Sequence, residues 1–167
     1  MLDHIPPLQR FSEVVRRDHW TSLFPELERL CQDVVGHRLF SCSVFKMNST
    51  EGGVAARIYT SDHKNYPVSG LKNIIPNRWT DIVIMKREVF VANSVKGFSD
   101  VFPDHEFIES LGLGSVVNIP VMLRGDFIGT VNMLHETGFY TKSRLESLER
   151  LSLPSLLTFG LSPETAI

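Results

Sequence analysis

The stretch Ser115-Val116-Val117-Asn118-Ile119-Pro120-Val121-Met122-Leu123-Arg124-Gly125-Asp126-Phe127-Ile128-Gly129-Thr130-Val131-Asn132-Met133-Leu134-His135-Glu136 decides the fold. Two β-rich runs flank Arg124-Gly125-Asp126, which reads as a hairpin turn. With Leu123 opposite Phe127, alternation puts Val117, Ile119 and Val121 on one face with Gly129, Val131 and Met133. The other face carries Val116, Asn118, Pro120, Thr130, Asn132 and Leu134, with Asn118 directly across from Asn132. A slip of one residue would put the two amides on opposite faces. Both faces are too apolar to be open to water, so the sheet is expected to be covered on both sides. A buried amide left unpaired costs about 1–3 kcal/mol. Asn118 and Asn132 must therefore be satisfied by each other, by backbone, by water or by a ligand. A few polar groups on an apolar wall are how small-molecule pockets are built.

Working outward, a final helix capped by Thr141 or Ser143 carries Leu145, Leu148, Leu151, Leu156 and Leu157 as its apolar stripe, with a kink at Pro154. Ser143 with Glu146 has capping-box spacing. Upstream, Asp104 to Leu111 reads as a short helix buried through Phe107, Ile108 and Leu111, ended by Gly112. Glu88 to Asn93 is a strand and Arg78 to Lys86 a short helix. Asp62 to Asn77 is a long irregular connection, and long ordered loops carry function more often than short ones. Leu39 to Met47 and Val54 to Ser61 form two antiparallel strands joined by a turn over Asn48 to Gly53. Phe40, Cys42 and Val44 alternate with Ser41, Ser43 and Phe45 on the first. Ala55, Arg57 and Tyr59 share a face on the second. Two helical stretches come first, the second carrying Leu27, Leu30, Cys31, Val34 and Val35, with Gly36 as its C-cap.

All of this fits one domain of 167 residues, with a core at about 27–159 and loose ends at 1–10 and 161–167. Pro6-Pro7 is expected to block a helix at the start. The apolar fraction of 43% and charged fraction of 22% are those of a globular chain. A formal net charge of -2 argues against nucleic acid or an anionic membrane as partner. No secretory signal and no membrane span is legible, so a cytoplasmic location is expected. Two cysteines, Cys31 and Cys42, give neither a disulfide framework nor zinc spacing, and no metal or cofactor is expected.

The order of helices and strands is α+β, and the chain resembles the GAF family of small-ligand-binding domains over about 27–159. The resemblance rests on Ser115-x-Val117-x-Ile119-Pro120-Val121, Gly125, and Ile128-Gly129-x-Val131-x-Met133. More narrowly the chain looks like stand-alone bacterial GAF proteins. The shared residues are Arg57-Ile58-Tyr59, Tyr66-Pro67, Trp79, Asp104-His105-Glu106, Ser110-Leu111-Gly112, Asn118-x-Pro120 and Gly129-Thr130-x-Asn132. The resemblance implies a GAF-like, PAS-related central antiparallel sheet of five to six strands. Terminal helices would cover one face, often as a dimer surface. Crossover helices would enclose a ligand pocket on the other, with the Asn118/Asn132 face as the pocket side.

Subfamily motifs narrow the ligand. Of the motif of cyclic-nucleotide GAF domains, Asn132 and Phe139 match, but Met133 stands for its lysine and Ser143-Arg144 for its acidic pair. The several pocket cysteines of GAF-type free methionine sulfoxide reductases reduce here to Cys31 and Cys42. The lead reading is a small-molecule-binding sensory or regulatory domain acting without an attached output domain, through a homodimer or a separate signalling protein. Arg57 would anchor a carboxylate of a small cytosolic ligand. Tyr59, Tyr66 and Trp79 would stack on it, and Asn118 and Asn132 would read its polar groups. Cys42 and His105 join the candidate site. Two other classes stay open: a small GAF-fold enzyme, redox or reductase-like, using Cys42 or His105, and a dimerisation or scaffold module without ligand. No catalytic residue is assigned.

Overall fold

In a computed structural model, described for residues 5–48 and 52–167, the chain folds around one six-stranded antiparallel sheet. The elements in order are α1 (Pro7–Arg17), α2 (Leu23–Val34), β1 (Leu39–Asn48), β2 (Gly52–Thr60), β3 (Lys72–Asn73), α3 (Arg78–Thr80), β4 (Phe90–Ala92), α4 (His105–Ser110), β5 (Ser115–Leu123), β6 (Asp126–His135), α5 (Lys142–Leu145) and α6 (Ser152–Leu161). The sheet order is β3-β2-β1-β6-β5-β4, so the first strand and the last pair at its centre. The expected α+β architecture is what forms. The two-residue β3 lies inside the connection read as irregular. The turn between β1 and β2 falls largely on Ser49–Glu51, outside the described residues, as do the first four residues of the expected lead-in.

The β5–β6 register puts Asn118 opposite Asn132 and Val121 opposite Gly129, as alternation requires. Nearer the turn it departs from the expected pairing. Leu123 pairs with Asp126, not Phe127, and Met122 pairs with Phe127 across a bulge after Val121. The turn has two residues, Arg124 and Gly125, both at positive φ (53° and 88°), which is the backbone that matches the twist of a tight hairpin. Closing the turn this tightly leaves Ile128 as the extra residue. Phe127 is thereby rotated onto the opposite face from Gly129, where it packs against Phe45 with ring centroids 4.9 Å apart.

A second bulge lies between Cys42 and Ser43: Cys42 pairs with Tyr59, but Ser43 with Arg57. Ile58 is the inserted residue, so Arg57 and Tyr59 lie on opposite faces. Strict alternation had put them together, and one extra residue reverses that.

The terminal helices cover the face of Phe40, Cys42, Val44, Val117, Val131 and Met133, which are all fully buried. Pro7 does not block α1; it occupies the first turn, where its missing N–H is not needed. From that point α1 is tied to α2. Arg10, 3% exposed, donates from Nε to Glu26 at 2.6 Å and from Nη2 to Asp33 at 2.6 Å, both on α2. The last helix is broken into α5, a 3-10 turn at Leu148–Leu151, and α6, with Pro154 in the first turn of α6. Ser143 falls inside α5, and Thr141 stands at its N-cap without a side-chain capping bond. Ser162 caps a further short turn at Pro163–Thr165, its hydroxyl accepting from the Glu164 N–H. Phe159 of α6 lies where Gly129 has no side chain: a Cβ there would come within 2.2 Å of the Phe159 ring and 2.7 Å of the Ser43 carbonyl oxygen.

The opposite face carries Leu39, Val116, Phe127 and Leu134, packed under α3, α4 and their connections. In α4, Ile108 is buried but Phe107 is 45% exposed, because a helix of two turns covers only one narrow stripe. Among the described residues no helix is long and apolar enough to cross a membrane.

Two outcomes follow from this packing. Arg10→Ala strands the Glu26 carboxylate in a buried site and is expected to lower stability by about 3 kcal/mol in urea unfolding. Gly129→Ala forces Phe159 off the sheet and is expected to cost about 1–3 kcal/mol in the same measurement.

Candidate functional site

Between the sheet and its crossover elements lies a cavity of about 230 Å³. Its floor is the face of β1, β6 and β5 that carries Ser41, Ser43, Thr130, Asn132 and Asn118. These residues converge because β1 and β6 pair directly, Ser41 with Asn132 and Ser43 with Thr130. Asn118 and Asn132 are 4% and 9% exposed. Their amides are joined: Asn118 Nδ2 donates to Asn132 Oδ1 at 2.7 Å. Trp79 Nε1 donates to Asn118 Oδ1 at 2.9 Å. Asn132 Nδ2 donates to the Ser41 hydroxyl at 3.3 Å and to that of Ser43 at 3.5 Å. The donors therefore run in one direction, from the indole to the serines. Among the described residues the Ser41 and Ser43 hydroxyl protons have no acceptor, and they lie at the cavity floor.

Trp79 is placed by local chemistry. Asn77 caps α3: its Oδ1 accepts from the backbone N–H of Trp79 at 2.9 Å and of Thr80 at 3.1 Å, and the Thr80 hydroxyl accepts from Asn77 N–H. This is a capping box built on Asn and Thr. The helix then widens into a π-helical turn over Asp81–Met85, a geometry often found at functional sites. Trp79 stacks on Phe45 with ring centroids 5.8 Å apart. Phe102, Ile108, Val116 and Leu134 complete the apolar wall. A more apolar groove of about 300 Å³ adjoins it across Phe45, Trp79 and Phe102.

The mouth is polar. The Arg57 guanidinium lies 3.5 Å above the Tyr66 ring centroid and donates from Nη1 to the Pro67 carbonyl at 2.7 Å. Ser69 fastens the same loop to β2, accepting from Arg57 N–H through its hydroxyl and donating to Arg57 carbonyl, both at 3.0 Å. The Tyr66 hydroxyl donates to Asp104 Oδ2 at 3.2 Å. Burial pushes the Tyr66 phenol up to about 12, so it stays a neutral donor.

Of the eight residues expected at the site, Arg57, Tyr66, Trp79, Asn118 and Asn132 line this cavity. Tyr59 and Cys42 do not. The bulge at Ile58 turns Tyr59 to the helix side, where it stacks on Phe24 and donates to Glu28 at 2.6 Å. Cys42, fully buried, belongs to the same helix-side core, and burial raises its thiol well above the ordinary value. His105 is also outside the lining: its Nδ1 is bonded to the Phe102 carbonyl at 2.8 Å, and its neighbour Asp104 takes the place at the mouth. The sequence reading passed over Asp104, Ser41, Ser43 and Thr130. Asp104 was visible in the acid-histidine cluster, but the preference for a histidine pointed one residue too far. The serines and Thr130 gave no such signal, because only the pairing of β1 with β6 makes their positions meaningful.

The sequence matches no protein-family model and no curated protein. Similar solved structures are nevertheless consistent with one another. The GAF domain/HD domain protein from Geobacter sulfurreducens superposes with a TM-score of 0.67 at 13% identity, covering 90% of this chain and 97% of that one. The GAF domain of a two-component sensor histidine kinase from Bacillus halodurans gives 0.62 at 14% identity, covering 83% and 91%. The type II free methionine-R-sulfoxide reductase from Thermoplasma acidophilum gives 0.59 at 15% identity, covering 90% and 95%. With an antiparallel six-stranded sheet, helices on both faces and the cavity on the side of the crossovers, this chain has the GAF-domain fold.

Proposed function

We propose that this domain binds a small molecule and acts as a sensory or regulatory GAF domain. The observation that supports the reading is the cavity floor. Buried and half-buried amides and hydroxyls are held in one hydrogen-bonded row, and among the described residues two hydroxyl protons remain without a protein acceptor. A filled core would have satisfied or removed them, since buried polar groups are nearly always paired. Aromatic and aliphatic walls around a few fixed polar groups are the ordinary construction of a ligand site. The cavity is below the range of drug-sized pockets, so the ligand is metabolite-sized. The likeness to a sensor-kinase GAF domain is compatible with this role. In the same proposal a binding event is read out through the terminal helices, by a second copy or a signalling partner, where Leu8, Leu153 and Leu161 are exposed.

The enzymatic alternative draws on the likeness to a free methionine sulfoxide reductase. Its thiol chemistry requires an accessible thiolate. Cys31 and Cys42 are both fully buried on the helix side, and burial raises both thiols. In the folded protein neither is expected to react with iodoacetamide at about pH 8, the range of an ordinary thiol. Both are expected to react after unfolding. Rapid alkylation of Cys42 in the folded state, read by mass spectrometry, would restore the thiol reading.

The binding reading is tested by native mass spectrometry of the purified protein, repeated after denaturation, together with a thermal-shift screen of metabolites. The expected result is a released or stabilising small molecule that the wild type holds. Ser43→Leu, which fills the floor, is expected to fold and to lose it. A wild type that is empty and that no metabolite stabilises would favour a scaffold module instead.

A further inference from the structure

Among the described residues, two of the side chains lining the cavity carry a charge, and the charges are opposite. Arg57 comes from β2 and Asp104 from the turn before α4. They make no ion pair with each other among the described residues. Tyr66 stands between them, its ring under the guanidinium and its hydroxyl on the carboxylate. The ring acts as a spacer that keeps the two charges apart along the mouth. Each charge is also incompletely used. Of the five N–H donors of a guanidinium, Arg57 spends one on the Pro67 carbonyl. Asp104 accepts one side-chain bond, at Oδ2. Its Oδ1 has no partner among the described residues.

This arrangement discriminates by charge. A simple anion on Arg57 would bring its charge beside the Asp104 carboxylate. A simple cation on Asp104 would meet the guanidinium. A ligand with both charges a few ångströms apart satisfies each and leaves nothing repelled, and specificity of this kind comes as much from the rejected ligands as from the accepted one. Below the mouth the floor offers neutral donors and acceptors only: the Asn118 and Asn132 amides and the Ser41, Ser43 and Thr130 hydroxyls.

We propose that the cavity selects a small zwitterion of the α-amino-acid class, its carboxylate on Arg57, its ammonium on Asp104, and an uncharged polar side chain against Asn118 and Asn132. The inference rests on the binding reading above and adds the chemical class of the ligand. The aromatic surfaces of Tyr66 and Trp79 flank the path between mouth and floor, so the methylene groups of such a ligand meet apolar walls.

The test is titration of the wild-type protein with the standard L-amino acids, followed by 1H–15N NMR and calorimetry. The strongest binder is then compared with its N-acetyl and α-amide derivatives, each of which removes one charge. Asparagine, glutamine, serine or threonine is expected to bind and to perturb the Asn118 and Asn132 side-chain amides. Blocking either end is expected to weaken binding about tenfold or more, the usual worth of a charge-assisted hydrogen bond. The variants sharpen this. In Arg57→Gln the parent and its α-amide are expected to bind alike, while the N-acetyl derivative stays discriminated. In Asp104→Asn the pattern reverses. Arg57 is partly exposed and Asp104 is exposed, and the NMR spectrum reports folding directly. A blocked derivative that binds the wild type as well as its parent overturns the inference, and so does a failure of every amino acid to bind. To separate that failure from failure of the binding reading, acetamide and propionate are titrated as single-function probes. If they perturb the Asn118 and Asn132 amides and lose the effect in Ser43→Leu, the cavity binds ligands but does not select zwitterions. If they too leave the amides unmoved and no metabolite stabilises the wild type, both readings fall.

Discussion

The hydrogen bond between the buried amides of Asn118 and Asn132 holds the cavity floor and its wall together. It spans β5 and β6 in the register that sets the two side chains directly opposite on one face. At one end it takes up the Trp79 indole, which ties the crossover helix to the sheet. At the other it reaches Ser41 and Ser43 on β1. Breaking it would leave amide groups unpaired in a buried place, at about 1–3 kcal/mol each. The row thus sets the register, seats the wall over the floor, and defines which polar atoms line the cavity.

The two faces of the sheet are used differently, and the difference is chemical. The helix side is filled by Phe40, Cys42, Val44, Val131 and Met133, with Phe159 pressed against Gly129. The ion pairs of Arg10 with Glu26 and Asp33 lock α1 onto α2 at its edge. Removing one partner of such a buried set costs far more than the set itself contributes. The crossover side is covered by short helical turns instead. They meet the sheet through Trp79, Phe102 and Ile108, and short elements cannot fill the space beneath them completely. A cavity follows from this unequal covering.

Two β-bulges decide who faces that cavity. The insertion of Ile58 keeps Arg57 at the mouth and sends Tyr59 to the helix side. The insertion of Ile128 brings Phe127 beneath Phe45 and leaves Gly129 under Phe159. Each bulge is a one-residue event with a two-face consequence, because strand side chains alternate with period two. The stacked contact of Arg57 on Tyr66, and the bond of Tyr66 to Asp104, then arrange the charges at the entrance.

By itself the sequence determined the α+β order, the central hairpin, the pairing of Asn118 with Asn132 and the helix-side placement of Cys31. These are matters of local periodicity and turn chemistry, which neighbouring residues settle among themselves. It also marked Arg57, Tyr66 and Trp79, whose side chains suit an anion anchor and apolar pocket walls. It missed the role of Pro7 as a helix start because two prolines in succession look like a barrier, and position within the first turn removes the conflict. Only the tertiary structure decided that Tyr59, Cys42 and His105 stand outside the cavity and that Ser41, Ser43, Thr130 and Asp104 belong to it. Those assignments depend on the bulge at Ile58, on β1 lying beside β6, and on the direction in which the turn before α4 leaves its neighbour. Each is a relation between segments far apart in the chain, and hydrophobic periodicity carries no information about the partner of a strand.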